Sequence, residues 1–199
     1  MGPGMSIVEI LGVAASVSLL AGWRLYLCVF AVGVAMRTGW VALPGHLLQL
    51  DVLANPWVLG VAGLLAVIEF AADKVMWIDS AWDAVHTLVR PVGGALLALA
   101  IVDPSKPEWQ VIAVLLGGGA SLLTHSAKAG TRAVVNASPE PVSNIVVSTG
   151  EDVATGGLLV LALANPIAAV VIAVGILGGA IAALVVLRRM LRKLMRRAS

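Results

Sequence analysis

Asp79, Asp83, His86 and Arg90 are spaced 4, 3 and 4 residues apart. At about 100° per residue they make one narrow stripe on a helix. Glu69 and Asp73, four apart, share a face of the preceding segment. Further along, Gly118, Ser121, His125 and Arg132 align, with Lys128 beside them; Asn144, Ser148, Asp152 and Thr155 form another face, flanked by Glu151. Such groups have definite uses. Histidines titrate near neutral pH, with an unperturbed pKa of about 6.5. Buried carboxylates can hold cations or couple to protons, and arginines can contact anions or act as counter-ions. Asp79, Asp83 and His86 are also weak candidates for a zinc or manganese site, since the same spacing arises on ordinary salt-bridged faces. His86 or His125 with Glu151 could serve hydrolysis, but no nucleophile motif accompanies them, and THSAKAG is not a nucleophile elbow. An enzyme is the lesser expectation, and no cofactor is expected.

These charges stand in a chain that is 60% hydrophobic and 12% charged, with a mean hydropathy of +1.00. Soluble domains carry roughly twice that charged fraction. Several apolar runs approach the roughly 20 residues a helix needs to cross a bilayer. The expected class is an all-α, polytopic membrane protein forming a single membrane domain over 1–199. An Asp, Lys or Arg at the bilayer centre costs about 2.5–3.5 kcal/mol on insertion scales. The charges are therefore expected to face one another, a hydrated cavity or the headgroups. Glu69, Asp73, Asp79, Asp83, Glu151 and Asp152 nearly balance Arg24, Lys74, Arg90, Lys128 and Arg132. That balance suits a polar network better than an anionic cage for a bare divalent cation. In the competing reading, residues 74–90 are an interfacial helix with their charges in water.

Six helical segments can be placed. The first runs from about Ser6 to Met36, either strongly tilted or broken near Gly22. The others span about Pro56–Lys74, Asp79–Val102 (kinked at Pro91), Trp109–Val135, Pro141–Ala164 and Ile167–Leu187. HLLQLDVL, before the second, is a candidate interfacial stretch. Trp40, Trp57, Trp77 and Trp109 fall near segment ends, where aromatic belts form. AGWR at Ala21–Arg24 and AGTR at Ala129–Arg132 suggest two inverted three-helix repeats, 6–102 and 109–187, a plan common in transporters. MGPGMSIVEI has no basic n-region or cleavage motif, so no cleaved signal peptide is expected.

Six of the thirteen basic residues lie in the basic tail at 188–199. Such a tail points to a cytoplasmic C-terminus and is a candidate contact for anionic lipid. With six spans the N-terminus would be cytoplasmic as well, and the expected location is a bacterial inner membrane. Gly117–Gly119 could bend the fourth segment or admit a close backbone. Gly175, Gly179 and Ala183 form a small-residue ridge for helix packing or a homo-oligomer. Cys28 is the single cysteine, which excludes an internal disulfide. NAS at Asn136 is a formal glycosylation pattern, discounted beside Pro139. Lipid is the expected partner, with no nucleic acid.

AGWRLYL, EFAADK, WDAVHTLVRP and THSAKAGTRAVVNASPEPVSN followed by GED resemble the bacterial integral membrane proteins of domain-of-unknown-function family 4126, over roughly residues 15–165. The resemblance implies membrane location and a polar motif set on these residues, with no established activity. The leading expectation is a small transporter or channel for an ion or polar solute. Its interior candidates are Arg24, Glu69, Asp73, Asp79, Asp83, His86, Arg90, His125, Lys128, Arg132, Asn144, Glu151 and Asp152. A structural or lipid-interacting membrane protein is the alternative, and a metal-dependent membrane enzyme the third.

Overall fold

The computed structural model describes residues 7–39, 52–102, 106–136 and 141–198. Among them the chain forms seven helices and no strand: α1 (Ile7–Ala21), α2 (Leu25–Thr38), α3 (Pro56–Ala72), α4 (Met76–Ile101), α5 (Pro107–Asn136), α6 (Pro141–Ala164) and α7 (Pro166–Ala198). Four of these, α4 to α7, contain stretches long and apolar enough to cross a membrane. Leu64, Val67, Leu88, Leu96, Leu115, Val153 and Val171 point outward, an apolar exterior that suits lipid rather than water. This is a helical membrane protein.

The first expected segment is two helices. Gly22, Trp23 and Arg24 break it, with Arg24 at φ −142°, ψ 81°. The chain reverses there. Along α1, Ser18 Oγ donates to Gly94 O at 3.0 Å, whereas Gly22 O accepts from Arg90 Nη1 at 3.2 Å. α1 therefore advances toward the start of α4. α2 then retreats along α3: Phe30 packs over Gly63, Gly33 lies against the Leu53 backbone, and Arg37 Nη1 donates to Ala54 O at 3.0 Å. At about 1.5 Å per residue, arms of 15 and 14 residues reach only about 22 Å, short of a roughly 30 Å hydrocarbon core. The pair is a hairpin whose tip lies inside the bundle. Val17, Leu20 and Ala21 of α1 are fully buried, packed in one core with Leu97, Leu159 and Ile172.

Gly22 makes this tip possible. A Cβ there would run into Ser121 O and the Thr124 hydroxyl, and Thr124 Oγ1 already donates to Leu19 O at 2.8 Å. Because a backbone oxygen cannot swing aside, Gly22→Ala is expected to destabilise the fold by about 1–3 kcal/mol, the usual cost of overpacking. Thermal unfolding in detergent checks this; an unchanged midpoint would mean the tip is not held against α5. Gly94 and Gly117 bring α4 and α5 together in the same way. A Cβ on Gly94 would lie 2.9 Å from Gly117 O, and one on Gly117 would lie 2.7 Å from Gly94 O. Small residues at such a crossing let helix backbones approach closely.

Other boundaries also differ from the sequence reading. α4 begins at Met76 and continues through Pro91. α5 runs unbroken past Gly117–Gly119 to Asn136. The basic residues expected in a separate tail extend α7, which is 33 residues long. AGWR closes the hairpin turn while AGTR lies inside continuous α5, so the two motifs have different backbones. Trp40 and most of HLLQLDVL lie outside the described residues. Trp57 and Trp77 are largely exposed at the start of α3 and of α4. Gly175 and Gly179 also face outward with nothing close, while Ile172, Ile176 and Ala180 make the packed side of α7.

Candidate functional site

The hairpin tip, the end of α3, the first half of α4, the second half of α5 and the first half of α6 meet around Asp73. Asp73 follows the last turn of α3, where unpaired helix carbonyls carry partial negative charge. Its carboxylate pairs with Arg24 Nη1 and with Lys128 Nζ at 2.9 Å. Its backbone oxygen accepts from Arg132 Nη2 at 2.7 Å and Asn144 Nδ2 at 3.0 Å. One residue thus joins four helices through both its side chain and its main chain. Asp73 is fully buried.

Ion pairs extend outward from this hub. Arg24 Nε lies 2.9 Å from Asp152 Oδ1, and its Nη2 is 3.6 Å from Glu151 Oε2. Lys74 Nζ reaches Asp152 Oδ2 at 2.9 Å and also donates to Ser148 Oγ. Arg90 joins Glu69 Oε1 at 2.9 Å and Asp83 Oδ1 at 3.2 Å. Arg132 Nε lies 3.1 Å from Asp79 Oδ2. Four cations and five carboxylates form one connected set of ion pairs, and the Arg132–Asp79 pair joins it through the Asp73 backbone oxygen. Asp79, Asp83, His86 and Arg90 are at most 5% exposed, so the side chains of this stripe do not stand in water. The stripe turns inward because Gly94 and Gly117 seat α4 directly on α5.

The two histidines are held differently. Arg90 Nη1 lies 2.8 Å from His125 Nδ1; a guanidinium can only donate, so Nδ1 accepts and the ring carries its proton on Nε2. That nitrogen faces Asp83 O at 3.1 Å and Thr87 Oγ1 at 3.1 Å. His86 Nδ1 donates to Trp82 O at 2.8 Å, leaving Nε2 to pair with the Tyr26 hydroxyl at 3.0 Å. Trp82 stacks on the His86 ring, with centroids 4.4 Å apart. Asp79, Asp83 and His86 therefore serve three separate sets of partners. Among the described residues no group of three or more His, Cys, Asp or Glu side chains is arranged to hold a metal ion.

The family model described as a domain of unknown function (DUF4126) matches residues 11–187. The chain belongs to this family. No curated protein and no solved structure matches it. The DUF4126 match covers most of the hairpin, α3 to α6 and most of α7, and with them every residue of the network.

Twelve of the thirteen interior candidates of this DUF4126 chain lie in or against the network, including His125 and Asn144, whereas His86 is held by Trp82 and Tyr26. The sequence missed several companions. In the sequence Lys74 counts only as a balancing charge, yet it closes the Asp152 side. Asn136 Nδ2 donates to Asp79 Oδ2 at 2.7 Å; ending the helix at Val135 hid this contact. Trp82, four residues before His86, carried a helical-spacing signal for their stacking. Tyr26 lies in the AGWRLYL segment, but no spacing ties it to His86.

Proposed function

We propose that this DUF4126 protein is a small transporter or channel for an ion or polar solute. The observation that supports this most is how the cations are shared. Lys128 Nζ lies 2.9 Å from Asp73, 3.7 Å from Glu151 and 3.9 Å from Asp83, carboxylates from three different elements. Arg24 likewise sits among Asp73, Glu151 and Asp152. A static scaffold needs one partner per charge. Cations with several partners within reach can change partner as a guest ion or proton passes, without leaving a charge bare at any step. The network also approaches the outside at two places. One is a polar cavity between α4 and α5, lined in part by Asp79, Asp83 and Arg132. The other is the group Lys74, Glu151 and Asp152, whose side chains are 17–19% exposed.

Flux into proteoliposomes tests this reading. The purified protein should pass at least one ion or polar solute from a broad panel. Glu151→Gln and Asp152→Asn should reduce that flux about tenfold or more, equivalent to about 1.4 kcal/mol on the barrier. These two carboxylates are the most accessible in the network, so their amides should fold. Folded protein with no flux above empty vesicles across the panel would contradict the proposal.

A second reading, a structural or lipid-binding protein, draws support from two apolar grooves of about 650 and 460 Å³ along α2. It expects retained lipid and no flux. We place the protein in a bacterial inner membrane with the basic end of α7 cytoplasmic, following the positive-inside rule. Arg188, Arg189, Arg192, Lys193 and Arg196 are exposed there, where anionic headgroups would meet them. The hairpin supports five crossings rather than six, so the end at Ile7 would lie across the membrane from that basic end. A relation between the halves 6–102 and 109–187 is supported only by Arg24 and Arg132 both reaching Asp73. The outward ridge of Gly175 and Gly179, with half-buried Ala183, suits contact with a second copy.

A further inference from the structure

The cavity between α4 and α5 has a volume of about 230 Å³. Its polar walls are unevenly satisfied. Asp79 is fully buried; its Oδ2 is taken by Arg132 and Asn136, while its Oδ1 has no hydrogen-bond partner. Asn136 spends its Nδ2 on Asp79, Ser80 Oγ and Met76 O, leaving its Oδ1 unpartnered as well. Asp83 Oδ1 accepts no hydrogen bond, although Arg90 stands 3.2 Å away. The one cation in the wall is held in place, although its Nε, 3.1 Å from Asp79 Oδ2, makes no hydrogen bond. Arg132 is committed to Asp79, to Asn144 O at 3.0 Å and to Asp73 O at 2.7 Å.

We propose that this cavity is a binding subsite for a primary ammonium group, either a small free ammonium ion or the headgroup of an aminolipid. The unsatisfied oxygens of Asp79 and Asn136 accept its N–H bonds. Unpaired buried acceptors are costly, and a cationic donor satisfies them with charge-assisted hydrogen bonds, roughly twice as strong as neutral ones. Because Arg90 and Lys128 stand 3.2 and 3.9 Å from Asp83 Oδ1, the preference for a cationic donor rests on the unpartnered oxygens of Asp79 and Asn136 and not on net charge. A bare divalent metal would need more carboxylate or imidazole ligands than gather here. The inference rests on the transport reading for its purpose, but the site can be tested without flux.

The test is a titration of the purified full chain with methylammonium chloride, read as the unfolding midpoint at constant ionic strength. Tetramethylammonium, which has no N–H, is the control. The expected result is a saturable rise with methylammonium alone. Asp79→Asn should weaken the half-saturation about tenfold, as expected for losing a charge-assisted bond. Because that change also disturbs Arg132, Ala133→Leu provides a second variant. Ala133 lines the cavity and is exposed, so a larger side chain should fill it, abolish the response and leave the ion pairs intact. Repeating the titration in nanodiscs separates the sources. Weaker methylammonium binding in phosphatidylethanolamine than in phosphatidylcholine assigns the site to the headgroup, and equal binding assigns it to the free ion. No saturable response, or an undiminished response in Ala133→Leu, overturns the subsite. Binding without flux would retain the subsite and remove transport; flux of another solute without this binding would do the reverse.

Discussion

Asp73→Ala is expected to cost about 3–5 kcal/mol of stability, the typical penalty for removing one partner of a buried ion pair. The cost comes from what is left behind. Arg24 and Lys128 are at most 3% exposed and both rely on this carboxylate. Arg24 retains Asp152 at 2.9 Å, but Lys128 would have only the neutral Trp23 carbonyl at 3.2 Å and the more distant carboxylates of Glu151 and Asp83, at 3.7 and 3.9 Å. The backbone oxygen of residue 73 would still hold Arg132 and Asn144, so the bundle should loosen around Lys128 first. Asp73→Asn keeps the shape and loses the charge, and should fall between wild type and alanine. Chemical or thermal unfolding in detergent measures the series. A loss below about 1 kcal/mol, the range of exposed pairs, would show that water reaches the hub.

The second large effect concerns Arg90 and Glu69. Arg90→Met leaves Glu69, which is 1% exposed, without its 2.9 Å partner, and should again cost about 3–5 kcal/mol. Adding Glu69→Met removes the stranded charge. The double variant should recover part of the loss, with a coupling of about 1–3 kcal/mol between the sites. Recovery will be incomplete because Arg90 also serves Asp83 Oδ1, His125 Nδ1 and Gly22 O. The double variant separates scaffold from pathway. A scaffold tolerates methionine pairs in place of buried ion pairs, whereas a polar path would be interrupted. Purely additive losses would mean Arg90 and Glu69 do not depend on each other.

The polar faces were legible in the sequence because helical periodicity sorts residues onto one side without regard to tertiary contacts. The stripe Asp79, Asp83, His86 and Arg90 needed only its spacing and the high cost of charge in lipid. Membrane class followed from apolar run lengths for the same reason. The hairpin was only half legible. Gly22 marked a break, but a break does not say whether the chain continues or turns back; that depends on α2 packing against α3. The role of Asp73 was hidden more deeply, since its backbone oxygen carries half of its contacts and sequence patterns register only side chains. Lys74 and Asn136 were missed because both sit at helix ends, where boundaries shift by a few residues.

Solute-driven current across a solid-supported membrane measures the central claim most directly. Wild-type protein, the Glu69→Met/Arg90→Met variant and protein-free membrane would be compared over the same panel of ions. If the buried charges form a conducting polar interior, wild type gives a saturable current for at least one ion and the folded double variant gives none. Equal currents from wild type and the double variant would contradict that claim, as would a wild-type signal no different from the bare membrane.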